Sequence, residues 1–215
     1  MTKKYELVLD DTISFWGWKL FRIRALISFG SVEVGDLGGY IEKEENLSHD
    51  GNAWVSGNAK VSGDAKVSGD AKVSGDAEVS GNAKVSGNAK VSGDAEVWGN
   101  AKVSGNAKVS GDAKVSGDAE VSGNAEVWGN AEVSGNAEVW GNAEVSELGD
   151  LIVFKNHWSS GRHFTYTKSN KMWKVGCFYG TGQELIEKAY RDSEKSGNYY
   201  KAYVDFVENL EKLGD

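Results

Sequence analysis

The side chains that could do chemistry in this chain are unevenly placed. The histidines are His49, His157 and His163, and the one cysteine is Cys177. A general base must titrate near neutral pH, which makes histidine the usual choice. A catalytic zinc site of the hydratase kind needs three converging ligands. Residues 51–146 contain neither histidine nor cysteine, so neither chemistry is expected there. A second set is basic and aromatic. Residues 151–182 hold five cations and no acid, interleaved with Phe154, Trp158, Phe164, Tyr166, Trp173 and Tyr179. Within it Trp158, Arg162, His163, Lys168, Lys171, Trp173 and Lys174 are candidate binding residues, because aromatic faces stack bases and cations hold phosphates. The competing reading makes the aromatics the core of a small unit that needs them for stability. A third set is acidic: Glu120, Glu126, Glu132, Glu138 and Glu144. Residues 117–146 hold no lysine and sum to −6. Such a surface suits a basic protein or mimics the charge of nucleic acid; the plainer reading is a solvated face. No cofactor and no resident metal are expected.

These side chains hang on a repeat. Sixteen hexapeptides run from Gly51 to Ser146 without insertion, each Gly-Asn/Asp-Ala-Lys/Glu-Val-Ser. Trp54 takes one charged slot, and Trp98, Trp128 and Trp140 take serine slots. Alanine and valine alternate with polar residues at period two, the pattern of a short half-buried strand. Gly-Asn and Gly-Asp are corners, since glycine takes positive φ freely and Asn and Asp tolerate it. One such strand cannot bury its apolar face alone, but it can stack on copies of itself.

The pattern resembles the hexapeptide repeat of left-handed parallel β-helices. That resemblance implies three hexads per triangular coil, 18 residues per turn and five to six coils. Valines would fill the prism, and corner asparagines would form amide ladders. Ile41 and Leu47 fall in the alanine phase, and Leu151 in the valine phase. At this spacing Asp76, Asp94 and Asp112 stack in one column beside Glu78 and Glu96, a candidate calcium site or a screened row of corner carboxylates. Trp98, Trp128 and Trp140 fall on three different faces. Many proteins of this fold are similar in transferring acetyl groups with a histidine base, which would make His49, His157 or His163 the base here.

The ends complete the reading. Lys4–Leu9 and Lys19–Leu26 read as strands, with a turn at Asp10-Asp11-Thr12. Residues 1–40 are expected to be a β cap, 41–150 the β-helix, and 151–215 an α+β cap. In the last, Leu151–Trp158, Arg162–Thr167 and Met172–Phe178 read as strands. Thr181-Gly182-Gln183-Glu184 has capping-box spacing, and Ser196-Gly197 is expected to break the helix that follows. Asp36-Leu37-Gly38-Gly39-Tyr40-Ile41-Glu42, Asn46 to Val55, and Gly176 to Thr181 resemble segments of acetyltransferase-like hexapeptide proteins of phages and prophages. The resemblance implies fold and origin, not a reaction.

Net charge is −8, and no run of 18 apolar residues is present, so no membrane span is expected. The N-terminus lacks an apolar signal core, and a lone cysteine fits a reducing compartment. The chain is therefore expected in the cytoplasm of a bacterial host cell, as a non-enzymatic binding or scaffold protein. Its partner would be a host protein, with inhibition of a defence system as one version. Nucleic acid binding and homo-oligomerisation stay open, and the alternatives are an acyltransferase-like enzyme and a nucleotide or small-anion binder.

Overall fold

The computed structural model describes residues 3–214. It divides into two compact units, Met1–Leu148 and Gly149–Asp215. The first begins with an antiparallel pair, β1 (Tyr5–Phe15) and β2 (Trp18–Ala25), which leads into β3 (Leu37–Ile41). Strands β4 to β19 are the charged-slot residue and valine of each hexad in turn, from Trp54–Val55 to Glu144–Val145. Each from β4 to β16 pairs in parallel with the strand 18 residues on, so Lys90 lies between Lys72 and Lys108. The result is a three-faced parallel β-solenoid of about six turns.

Its interior is alanine and valine. Every repeat alanine and valine from Ala53 to Val145 is buried. The corner glycines take positive φ, and they also meet backbone. At Gly87 (φ +67) a Cβ would lie 3.0 Å from the nitrogen of Gly105 one coil on. The expected amide ladders are present: Asn88 donates to Asn106, Asn106 to Asn124 and Asn124 to Asn142, at 3.0 to 3.1 Å.

The N-terminal cap works by supplying donors. Corner, charged and serine slots donate N–H groups to the following coil, as Asn58, Lys60 and Ser62 do to Gly75, Ala77 and Val79. The first repeat coil therefore presents carbonyls that have no preceding hexad. The backbone N–H groups of Tyr40, Glu42 and Ser48 meet Ala59, Val61 and Val67. The Lys4 ammonium bonds the Ala53 and Gly51 carbonyls at 2.9 and 3.3 Å. The Asn46 amide bonds those of Ala65 and Gly63 at 2.9 and 3.0 Å.

Three expectations are corrected in this unit. Asp10-Asp11-Thr12 is not a turn: β1 runs through it, with a register shift between Val8 and Thr12. The turn is Trp16-Gly17, both at positive φ. Ile41 and Leu47 occupy valine positions, pairing with Val61 and Val67. The offset there is 20 residues instead of 18, because His49-Asp50 lengthen the following corner. Leu151 does not continue the solenoid but opens an antiparallel strand.

The second unit is a four-stranded antiparallel sheet, β20 (Leu151–Lys155), β21 (His163–Thr167), β22 (Met172–Val175) and β23 (Phe178–Thr181), followed by α1 (Gly182–Asp192) and α2 (Glu194–Gly214). The capping box at Thr181 forms, with Glu184 accepting from the Thr181 N–H at 2.8 Å. Ser196-Gly197 does not break a helix. The break is at Ser193, whose backbone is extended, and Gly197 lies inside α2. A Cβ at Gly197 would lie 2.2 Å from the Tyr190 ring, so this glycine lets an α1 aromatic pack against α2.

Candidate binding surfaces

The basic, aromatic segment does not form one site. Alternation along β21 turns Phe164 and Tyr166 toward the helices, where they form a buried cluster with Trp173, Leu185, Ala189, Tyr200, Val204 and Val207. Trp173 is 2 % exposed and stacks on Phe154 at 5.9 Å, so it offers no face to a ligand. Trp158 is half-buried, with its ring stacked 4.7 Å from Tyr199 and 5.7 Å from Tyr203. These aromatics, apart from the exposed Tyr179, thus pack into the core of their own unit. The cations disperse. Lys174 is buried and its ammonium donates to the Gly176 carbonyl. Lys171, at positive φ, pairs with Glu211 at 3.6 Å, and Glu211 also accepts from the Tyr166 hydroxyl. Burial, reinforced by that bond, holds the Tyr166 phenol well above its ordinary range. Arg162 and Lys168 are exposed, and half-buried His163 pairs with Lys155 at the start of β21.

The other two histidines are separate cases. His49 stacks on Tyr5 at 4.4 Å, and its Nδ1 accepts the Lys4 N–H at 3.2 Å. Burial lowers its pKa. The exposed His157 meets the Tyr203 hydroxyl through Nδ1 at 3.4 Å. Asp76, Asp94 and Asp112 do share a column, with Asp76 accepting from Asn58 at 3.1 Å. Among the described residues no three or more His, Cys, Asp or Glu side chains converge in a way that could hold a metal ion.

The acidic set is laid out as the 18-residue spacing implies. Glu120 lies against Glu138 and Glu126 against Glu144 in register. Upstream, Lys102 pairs with Glu120 and Lys108 with Glu126, each at 2.6 Å. Lys114 lies beside Glu132 in the third column. The change from lysine to glutamate is therefore bridged by ion pairs on two faces.

Two concave surfaces on the first unit were not visible as sequence motifs. A groove of about 790 Å³ lies where the Gly30–Leu37 segment faces Trp54, Lys72 and Lys90. A cleft of about 500 Å³ lies between the β1–β2 hairpin tip and the coils, lined by Phe15, Trp16, Trp18, Glu78, Glu96 and Trp98 among others. One signal was present in the sequence: Glu78, Glu96 and Trp98 all depart from the local repeat. Set against known proteins, the chain matches no family model and no curated protein sequence.

Proposed function

We propose that the protein is a non-enzymatic binding scaffold whose later coils dock a basic macromolecule. The observation that supports this reading is the axial polarity of the solenoid. Lysine fills eight of the eleven charged slots in residues 51–116 and glutamate all five in residues 117–146, on a backbone held by a parallel ladder. A rigid array of like charge steers and orients an oppositely charged partner. The partner class is a basic protein of a bacterial host cell, and the finer version is a phage-borne inhibitor that occupies a defence protein.

The test replaces Glu120, Glu126, Glu132, Glu138 and Glu144 with lysine, the residue already in the same slots upstream. Proteins captured from a bacterial lysate by the native chain should be basic, should elute as salt rises, and should be lost from the variant. Identical capture by the two chains overturns the reading. In the same assay, joint replacement of His49, His157 and His163 by Gln should leave capture intact. Turnover of acetyl-coenzyme A by the native chain, lost in that variant, would point to an acyltransferase instead.

A further inference from the structure

Apart from Trp54 in the first hexad, the departures from the repeat's charged and serine slots in its first two thirds are gathered at one place. Across residues 51–116 the charged slot is lysine eight times and glutamate only at Glu78 and Glu96, and the serine slot is tryptophan only at Trp98. All three line the 500 Å³ cleft, and its opposite wall is the hairpin tip with Phe15, Trp16 and Trp18. That volume is in the range that holds a ligand or one large side chain.

The tip itself is built at a cost. Trp16 (φ +50) and Gly17 (φ +83) form a two-residue turn between Phe15 and Trp18. The first position of such a turn favours Asn, Asp or Gly, and a bulky residue at positive φ is an outlier. Trp16 is 83 % exposed and Trp18 50 %, so burial in the core does not explain them.

We propose that this cleft binds an arginine side chain of a basic partner protein. The guanidinium would stack on the indole faces and bond the Glu78 and Glu96 carboxylates. Two of its lining residues already meet a cation: the Lys60 ammonium lies 4.7 Å from the centre of the Phe15 ring and 2.9 Å from Glu78. Glu96 meets Lys114 through one oxygen at 3.4 Å. A carboxylate has about four lone-pair sites, so both glutamates can accept further donors. Arginine fits better than lysine, because its planar fork both stacks on aromatic rings and bonds carboxylates with paired donors. The inference takes its basic partner from the docking reading, but the acidic coils from Glu120 onward are not part of this cleft, so failure of the one is distinguishable from failure of the other.

The test is a titration of the full ¹⁵N-labelled chain, following tryptophan indole N–H signals. The probes are a blocked Gly-Arg-Gly peptide, the same peptide with neutral citrulline, and a neutral oligosaccharide. The arginine peptide should move the Trp16, Trp18 and Trp98 signals and bind about tenfold tighter than the citrulline one. Trp98→Ser and the pair Glu78→Lys with Glu96→Lys restore the residues of the surrounding repeat, so the solenoid is kept while binding should weaken several-fold or vanish. Trp16→Asn should relax the turn, raise the melting temperature and still weaken binding. No shift at these signals, equal binding of citrulline, preference for the oligosaccharide, or binding unaffected by all these substitutions would each overturn the proposal.

Discussion

Lys4 is 1 % exposed, yet it carries the ammonium that meets two carbonyls of the first repeat coil. Its nitrogen also lies 4.7 Å from the Phe29 ring centre. Burial pushes its pKa down from 10.5 to about 8, with Asp50 and Asp70 pulling the other way. Below pH 8 the folded and unfolded chains both hold the proton, and this residue's contribution is flat. Between pH 8 and 10.5 the folded chain releases the proton first, so the contribution to stability rises with pH. Lys4→Met lacks that rise. Denaturant unfolding at pH 7 and pH 10 should show the native chain gaining on the variant by a few kcal/mol; an equal change in both would mean the ammonium is not desolvated. Nothing in the sequence marked Lys4 as buried. It sits in an ordinary strand pattern, and its burial follows from a contact with residues some 47 positions away. Trp173 and Lys174 were ambiguous for a related reason, since a basic aromatic run has one composition whether it faces a ligand or its own core.

At the scale of the element, what was legible was whatever repeats. The 18-residue register, the inward valines and the corner ladders follow from period six, because each hexad meets only copies of itself. Val91→Asp should therefore place an unpaired charge among buried valines and cost several kcal/mol. A melting temperature equal to that of the native chain would show the valine column facing outward. What was not legible was whatever interrupts the period. Phase alone put Ile41 and Leu47 among the alanines, and the two added residues His49-Asp50 moved them. Polar triplets were read as turns at Asp10-Asp11-Thr12, but there a strand absorbs them in a bulge and places Asp11 2.7 Å from Arg22. The cleft was hidden for the same reason: Glu78, Glu96 and Trp98 gain meaning only once the hairpin tip lies against them.

At the scale of the whole molecule, the order of charges follows the direction of the hydrogen bonds. Three N–H groups per hexad point toward the later coils, more than the single return bond of a two-residue parallel ladder. Carbonyl oxygens therefore dominate the first edge and N–H groups the last, and lysines early with glutamates late match that polarity, as cations and anions do at helix ends. The match can be broken by moving the register without touching the core. Removing residues 99–116, one full coil, sets Lys84 against Glu120 and Lys90 against Glu126, so opposite charges still meet on two faces, and only on the third do like charges meet, Glu96 against Glu132. Removing only 99–104 sets Lys84 against Lys108, Lys90 against Lys114 and Glu96 against Glu120, so like charges meet on all three faces. Both deletions keep an alanine and valine interior and should fold as solenoids by circular dichroism. They should differ in the sign of their salt dependence, because screening falls from about 10 Å at 0.1 M to about 3 Å at 1 M salt. Added salt should raise the melting temperature of the six-residue deletion relative to the eighteen-residue one. A parallel response would mean that the outward charges do not sense the coil above them, and the polarity would then have no part in holding the coils together.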